Sequence, residues 1–278
     1  MIAMTQKQLE QFEDNWQTSM GGILFDQGLV SSVLLRGRDL FAELSNKTWM
    51  EYQLFAVTGR EDPILARLIE AIWVICTSYP DPRLWNNRIA ALAGTARSTG
   101  HLAVAGAVAV TEAGIYGGQP ILRVADFLSR THRQLQQGLE LQQILHAERQ
   151  QTGKIYGYGR PGFGEDERIQ PLLNYIEGVG IERGSFTELV FTITEHFDRS
   201  KPRLQPNIAA PFTGLLLDQG LSAREIYYLY ILGFCGGFLP CFMDAQAQPQ
   251  GALFPLRSGR INYRGAAPRY WSQSQMDG

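Results

Sequence analysis

The chain has 278 residues, of which 45% are hydrophobic and 19% charged, with a formal net charge of −2. That length and balance fit a globular protein of one large domain, or a large and a small one, and exclude a disordered chain. The near-neutral charge gives no whole-chain attraction to nucleic acid or to an anionic membrane surface.

The amino-terminal stretch MTQKQLEQFEDNWQ is polar where a secretory signal would be apolar, and the apolar runs at 102–110 and 71–76 are too short to span a bilayer. These features predict a cytoplasmic protein without a membrane partner. Apolar residues at Leu54, Phe55, Leu65, Leu68, Ile69, Ile72 and Ile75 recur at helical spacing, predicting successive helices with one buried face. From Arg88 to Val110 alanines and glycines dominate. Small residues let helices approach closely, so this segment is expected as a hairpin at the centre of the molecule or against a second copy.

Glycine and proline breaks follow at 114–120, 153–164 and 201–211. Between them, Thr131 to Arg199 is polar and rich in glutamine. This stretch lies within a smaller helical domain, 119–209, inserted into a larger one formed by 1–118 and 210–278. Ser222-Ala223-Arg224-Glu225 is a capping box that opens an apolar helix through Tyr227, Tyr230 and Ile231. Strand alternation with hairpin turns is nearly absent, so the fold class is all-α. Residues 246–251 read as a loop, and the polar tail 271–278 as frayed. Cys76, Cys235 and Cys241 sit in apolar surroundings without ligand spacing and read as reduced, buried thiols. His101, His132, His146 and His196 form no metal-binding pattern, and no metal site is expected.

Taken in order, several motifs resemble those of the citrate synthase superfamily. Arg36-Gly37-Arg38-Asp39-Leu40 through Glu43-Leu44, with Trp49, Glu51 and Gly59, is similar to the family's early helix and the segment after it. Arg88-Ile89-Ala90-Ala91 resembles the lead-in to its central hairpin, and Gly114-Ile115-Tyr116-Gly117-Gly118 its G-P-x-H-G-G loop. Gly157-Tyr158-Gly159-Arg160 with Gly164-Glu165-Asp166-Glu167-Arg168 looks like G-[FY]-G-H and G-D-P-R, and Pro206-Asn207-Ile208-Ala209 like P-N-V-D. Arg257, Arg260, Tyr263 and Gly265 resemble the family terminus. The length suits short members such as citryl-CoA lyases.

The resemblance implies an all-α, citrate-synthase-like homodimer that takes a coenzyme A thioester and a small carboxylic acid, with coenzyme A as substrate or ligand and no other cofactor. It also shows what is missing. The position of the histidine that stabilises the enol is Tyr116, that of the second histidine is Arg160, and that of the carboxylate base is Ala209. A positioned base contributes about 10²- to 10⁴-fold, so its loss removes about 3 to 5 kcal/mol of barrier lowering unless another carboxylate enters. Glu112, Asp81 and Glu165 are the carboxylates nearest the motifs in sequence. Tyr116 and Arg160 remain as hydrogen-bond donors for an oxyanion. Two further family positions for substrate carboxylates fall at Ser78 and Gly233, leaving Arg168 and Arg260 to grip a carboxylate. The backbone of Gly157, Tyr158 and Gly159 stands where the family recognises coenzyme A. Two functions follow: a non-standard carbon–carbon lyase or acyltransferase on a coenzyme A ester, or a catalytically inactive paralogue that binds coenzyme A or a carboxylate as a regulator or partner subunit.

Overall fold

The computed structural model describes residues 5–14, 18–112, 114, 117–160, 165–198, 204–252, 259 and 262–267. After helix α1 (Gln6–Asp14) the chain forms an antiparallel meander of β1 (Gly21–Asp26), β2 (Leu29–Leu35) and the two-residue β3 (Arg38–Asp39). Gln27 and Gly28 turn β1 into β2 with φ of 46° and 81°. Two left-handed residues match the twist of a tight hairpin, and asparagine-glycine would announce it more plainly than glutamine-glycine does. Residues 36–44, expected as a helix, instead hold the β2–β3 turn and a series of turns. Asp39 accepts from the N–H groups of Phe41 and Ala42 at 2.8 Å, and Arg36 reaches the carbonyls of Ala56 and Val57. An aspartate that bonds the backbone two and three residues on favours a turn over a helix interior.

Helices then follow without interruption by strands: α2 (Trp49–Thr58), α3 (Pro63–Cys76), α4 (Trp85–Thr95), α5 (Gly100–Thr111), α6 (Gly118–Gln136), α7 (Leu141–Thr152), α8 (Ile169–Gly178), α9 (Ser185–Asp198), α10 (Ala209–Asp218), α11 (Ala223–Tyr230) and α12 (Phe238–Ala247). The fold is mainly α. Local chemistry sets the helix starts. Thr48 with Glu51 and Ser222 with Glu225 form capping boxes, and Asp62 caps α3 with Pro63 at its first position.

Helix α10 is buried at every position from Ala210 to Leu217 and packs against α6 and α9, while α6 also packs on α11. One buried apolar cluster runs from Met50 in α2 to Phe242 in α12. The small-residue hairpin α4–α5 packs against α12, with no room for a side chain at Gly94, which faces the α12 backbone. It lies at the edge of the molecule, where α5 buries Ala103 and Ala107 but exposes Leu102, Ala105 and Ala109.

By length and hydropathy the stretch Ala223–Ala247 is apolar enough to cross a membrane, which the sequence reading did not single out. Half of it is buried in the protein, and a 3₁₀ turn at Cys235–Gly237 breaks it, as suits core helices.

A single carboxylate joins α10 to α9. Asp218 at the end of α10 accepts from the N–H groups of Gly184, Phe186 and Thr187 at 2.8 to 3.0 Å, satisfying donors that the start of α9 leaves open. Replacing Asp218 with alanine is expected to destabilise the protein by about 2 kcal/mol, the upper range for a lost helix cap. A urea midpoint unchanged from wild type would show that the clamp carries no stability.

Candidate functional site

Two loops meet over the start of α10. In the first, residues 155–160, Ile155 and Tyr158 are buried, while Tyr156 is half-buried and packs against the edge of the core. Gly157 and Gly159 take φ of 86° and 80°, and a methyl group at Gly157 would lie 2.9 Å from the Ala210 Cβ. Only glycine combines that backbone with so close an approach. In the second loop, residues 204–208, the chain bonds back to the first: Gly159 donates to the Gln205 carbonyl at 2.7 Å, Asn207 donates to the Gly157 carbonyl at 2.8 Å, and the Asn207 side chain donates to the Gly159 carbonyl at 2.9 Å. Several of the polar groups expected to meet coenzyme A are therefore engaged within the protein. Tyr158 turns its ring into the core, donates to the Val190 carbonyl at 2.7 Å and packs edge-on to Phe197; burial pushes its hydroxyl pKa up.

Asp166 ties these loops together. Its side chain is fully buried. Oδ1 accepts from the Arg168 backbone N–H at 3.2 Å and from Arg168 Nε at 2.8 Å, while Oδ2 accepts from Arg168 Nη2 at 2.8 Å and from the Ile208 N–H at 2.9 Å. A carboxylate has about four lone-pair sites, and all are filled. Burial alone would raise the Asp166 pKa, but the hydrogen bonds and charge of Arg168, with the Ile208 N–H, outweigh it and hold the group below the usual carboxylate range.

The predicted residues can now be placed. Arg168 does not stand free for a substrate: it grips Asp166 with two nitrogens. Arg160 lies with it, 3.5 Å from Asp166 and 2.5 Å from the Glu167 carboxylate, which is itself exposed. Ala209 is the first residue of α10, next to the Ile208 N–H that Asp166 holds. Tyr116 and Arg260 lie outside the described residues. Among the carboxylates weighed from the sequence, Asp81 pairs with Arg83, Glu165 is exposed, and Glu112 lies by Tyr227 and the first residue of α6. The carboxylate brought against the base position is Asp166, which the sequence reading did not single out. Its signal was present in Asp166-x-Arg168, where a short acid can fold back on the backbone and side chain two residues on.

Packing has taken over the other substrate positions. Ser78 is buried, donates to the Phe234 carbonyl at 2.5 Å and lies 3.1 Å from the Asn87 side-chain oxygen. A side chain at Gly233 would strike the Tyr230 ring at 2.7 Å; that ring packs on Phe212 and Phe234, and its hydroxyl donates to the Cys76 carbonyl at 3.0 Å. Burial pushes the Cys76 thiol up to about 12 and Cys241 is also buried, as expected, whereas Cys235 is half-buried. Among the described residues no group of three metal-ligating side chains occurs. A cavity of about 420 Å³ opens elsewhere, between α2, α3 and α8, lined by Glu51, Arg67, Glu70, Val74 and Tyr175 among others; no predicted site residue lines it.

No family model matches the chain, and no curated protein does. Solved structures do. It is similar to citryl-CoA lyase from Hydrogenobacter thermophilus, with a TM-score of 0.76 at 18% identity over 93% of this chain and 98% of that one. The chain has a citrate-synthase-like fold. ATP citrate lyase from Methanosaeta concilii in complex with (3S)-citryl-CoA matches with a TM-score of 0.71 at 19% identity, covering 96% of this chain but 45% of that one. Citrate synthase from Pyrobaculum aerophilum matches with a TM-score of 0.52 at 17% identity over 79% of this chain and 54% of that one. Within this citrate-synthase-like chain, the Asp166 clamp occupies the junction between the G-[FY]-G-H-like loop and the P-N-V-D-like start of α10.

Breaking a buried ion pair costs about 3 kcal/mol or more. Asp166→Asn is therefore expected to lower the urea-unfolding free energy at neutral pH by about 3 kcal/mol. Because its folded pKa is depressed, the stabilisation is present above the unfolded value of about 3.9 and is lost as pH falls through the folded value. The variant should lose stability less steeply than wild type below about pH 4, in a series of denaturation curves. Equal acid slopes would contradict the clamp.

Proposed function

We propose that this protein binds a coenzyme A thioester in a citrate-synthase-like cleft and does not abstract a proton from the acyl group at position 209. The observation that carries this reading is the state of Asp166. It is the carboxylate held against the start of α10, yet it is ionised, buried and saturated with donors. A general base needs a free lone pair within reach of the acyl carbon and a pKa raised towards the working pH. Asp166 has neither, and Ala209 has no acid at all.

The similarity to an ATP citrate lyase solved with citryl-CoA supports coenzyme A thioesters as the ligand class. Glycine and serine at positions 233 and 78, with Arg168 engaged by Asp166 and Arg160 by Glu167, disfavour a tricarboxylate. The protein then acts as a binding subunit or regulator rather than as a lyase or acyltransferase. We further propose that it is a homodimer, paired through the face on which α5 exposes Leu102, Ala105 and Ala109.

Purified protein mixed with acetyl-CoA in D₂O tests the reading. At roughly 100 times Kd the ligand should add about 2.7 kcal/mol of stability and raise the Tm by several degrees. The acetyl methyl signal should persist by NMR for hours, and citryl-CoA should remain uncleaved. Methyl exchange or thiol release would overturn the non-enolising part; no Tm shift with any coenzyme A species would overturn the binding part.

A further inference from the structure

The β1–β2 hairpin presents apolar side chains to solvent. Met20, Ile23, Leu24, Phe25, Leu29 and Val30 are all exposed, Phe25 by 65% and Leu29 by 75%. In the order β1-β2-β3, β1 is an edge strand, and among the described residues nothing pairs with its outer side. The direction of its backbone groups follows from its neighbour. Val33 of β2 stands opposite Ile23 but gives its carbonyl to the Leu40 N–H, on the β3 side, at 2.7 Å. In an antiparallel ladder the N–H and C=O of one residue point to the same side, so Ile23 directs its own away from β2, to the open edge. Alternation extends this to Gly21 and Phe25, while the Met20 carbonyl, one residue out of step, accepts from the Arg36 N–H on the β2 side at 2.6 Å. The register shift leaves Ser31 of β2 over, so the extra residue lies on the inner strand and β1 runs regularly along the edge.

Such an edge is a template for another strand, and proteins that keep one unpaired place lysine, proline or a bulge on it. β1 carries none of these, and between residues 20 and 35 the only charge is Asp26. Taking about 150–200 Å² for a large apolar side chain, the exposed parts of the six come to roughly 600 Å², so two copies would bury about 1,200 Å², the lower end of stable specific interfaces. We propose that β1 pairs antiparallel with β1 of a second copy of this chain, across a two-fold axis at Leu24. Side chains set that register. With the axis there, Ile23 and Phe25 of one copy lie opposite Phe25 and Ile23 of the other, a favourable pairing of aromatic with β-branched residue, and these are the residues whose backbone groups face the open edge. On the opposite face Leu24 meets its own equivalent. Asp26 falls opposite Gly22, which has no side chain, and no like charges meet. Moving the axis to Phe25 would set Asp26 against Leu24. This interface is separate from the exposed face of α5 and does not rest on the coenzyme A reading.

Light scattering at micromolar concentration on the full chain and on Ile23→Pro tests the pairing. The Ile23 N–H faces the open edge, so proline there removes a donor to the second copy and leaves the β1–β2 ladder whole. The variant should keep the wild-type Tm and show half the wild-type mass: four copies become two if the α5 face also pairs, and two become one if it does not. Leu24→Cys checks the register. Opposite residues in a non-bonded antiparallel pair have Cα atoms about 4.5 Å apart, within disulfide range, so mild oxidation should link two of the 31.1 kDa chains through this cysteine. Leu29→Cys, whose two copies would stand about 14 Å apart across three strand spacings, should stay largely unlinked. A monomeric wild type, or an unchanged mass for Ile23→Pro, overturns the proposal. A halved mass without the Leu24→Cys link means that the copies meet on this face in another way, and overturns the strand pairing as well.

Discussion

The arrangement around α10 depends on one buried carboxylate. Asp166 joins two segments distant in sequence: its own turn, with the Arg168 that precedes α8, and the Ile208 N–H that opens α10. An ion of this kind is tolerated inside a protein only when its lone pairs are met, and breaking one side leaves an uncompensated charge. The consequence reaches further than stability. A group that must be fully satisfied for the loops to meet cannot also be held in reserve for a substrate. The same four hydrogen bonds that fix the junction between the glycine loop and α10 remove Asp166 from consideration as a base.

Other positions likewise serve packing. Ser78 ties the end of α3 to the segment before α12 through the Phe234 carbonyl, and Gly233 makes room for Tyr230 against Phe212 and Phe234. At the edge of the loop, Lys154 and Arg123 lie over the ring of Tyr156, and among the described residues neither forms an ion pair.

Much of the fold was legible in the sequence because its signals are local. The capping box at Ser222 and the period of Leu65, Leu68, Ile69 and Ile72 act within a turn or two of helix, and they hold in the structure. The β1–β2 hairpin was missed because its turn carries glutamine where asparagine is the stronger signal and because β1 is exposed throughout and β2 passes from exposed to half-buried instead of alternating in and out. The site was less legible for a different reason. Motif order located the two loops and named Arg168, but whether an arginine is available depends on a partner across the loop, and spacing alone does not reveal that Asp166 takes both of its nitrogens.

The central claim is that Asp166 stays an ionised structural anchor when ligand is bound. Carbon-13 NMR of carboxylate-labelled protein, titrated in the presence of saturating acetyl-CoA and assigned with Asp166→Asn, measures this directly. The account predicts that the Asp166 signal titrates well below the ordinary aspartate range and does not move on binding. A titration raised towards neutral pH in the complex would contradict it and would make Asp166 a working base.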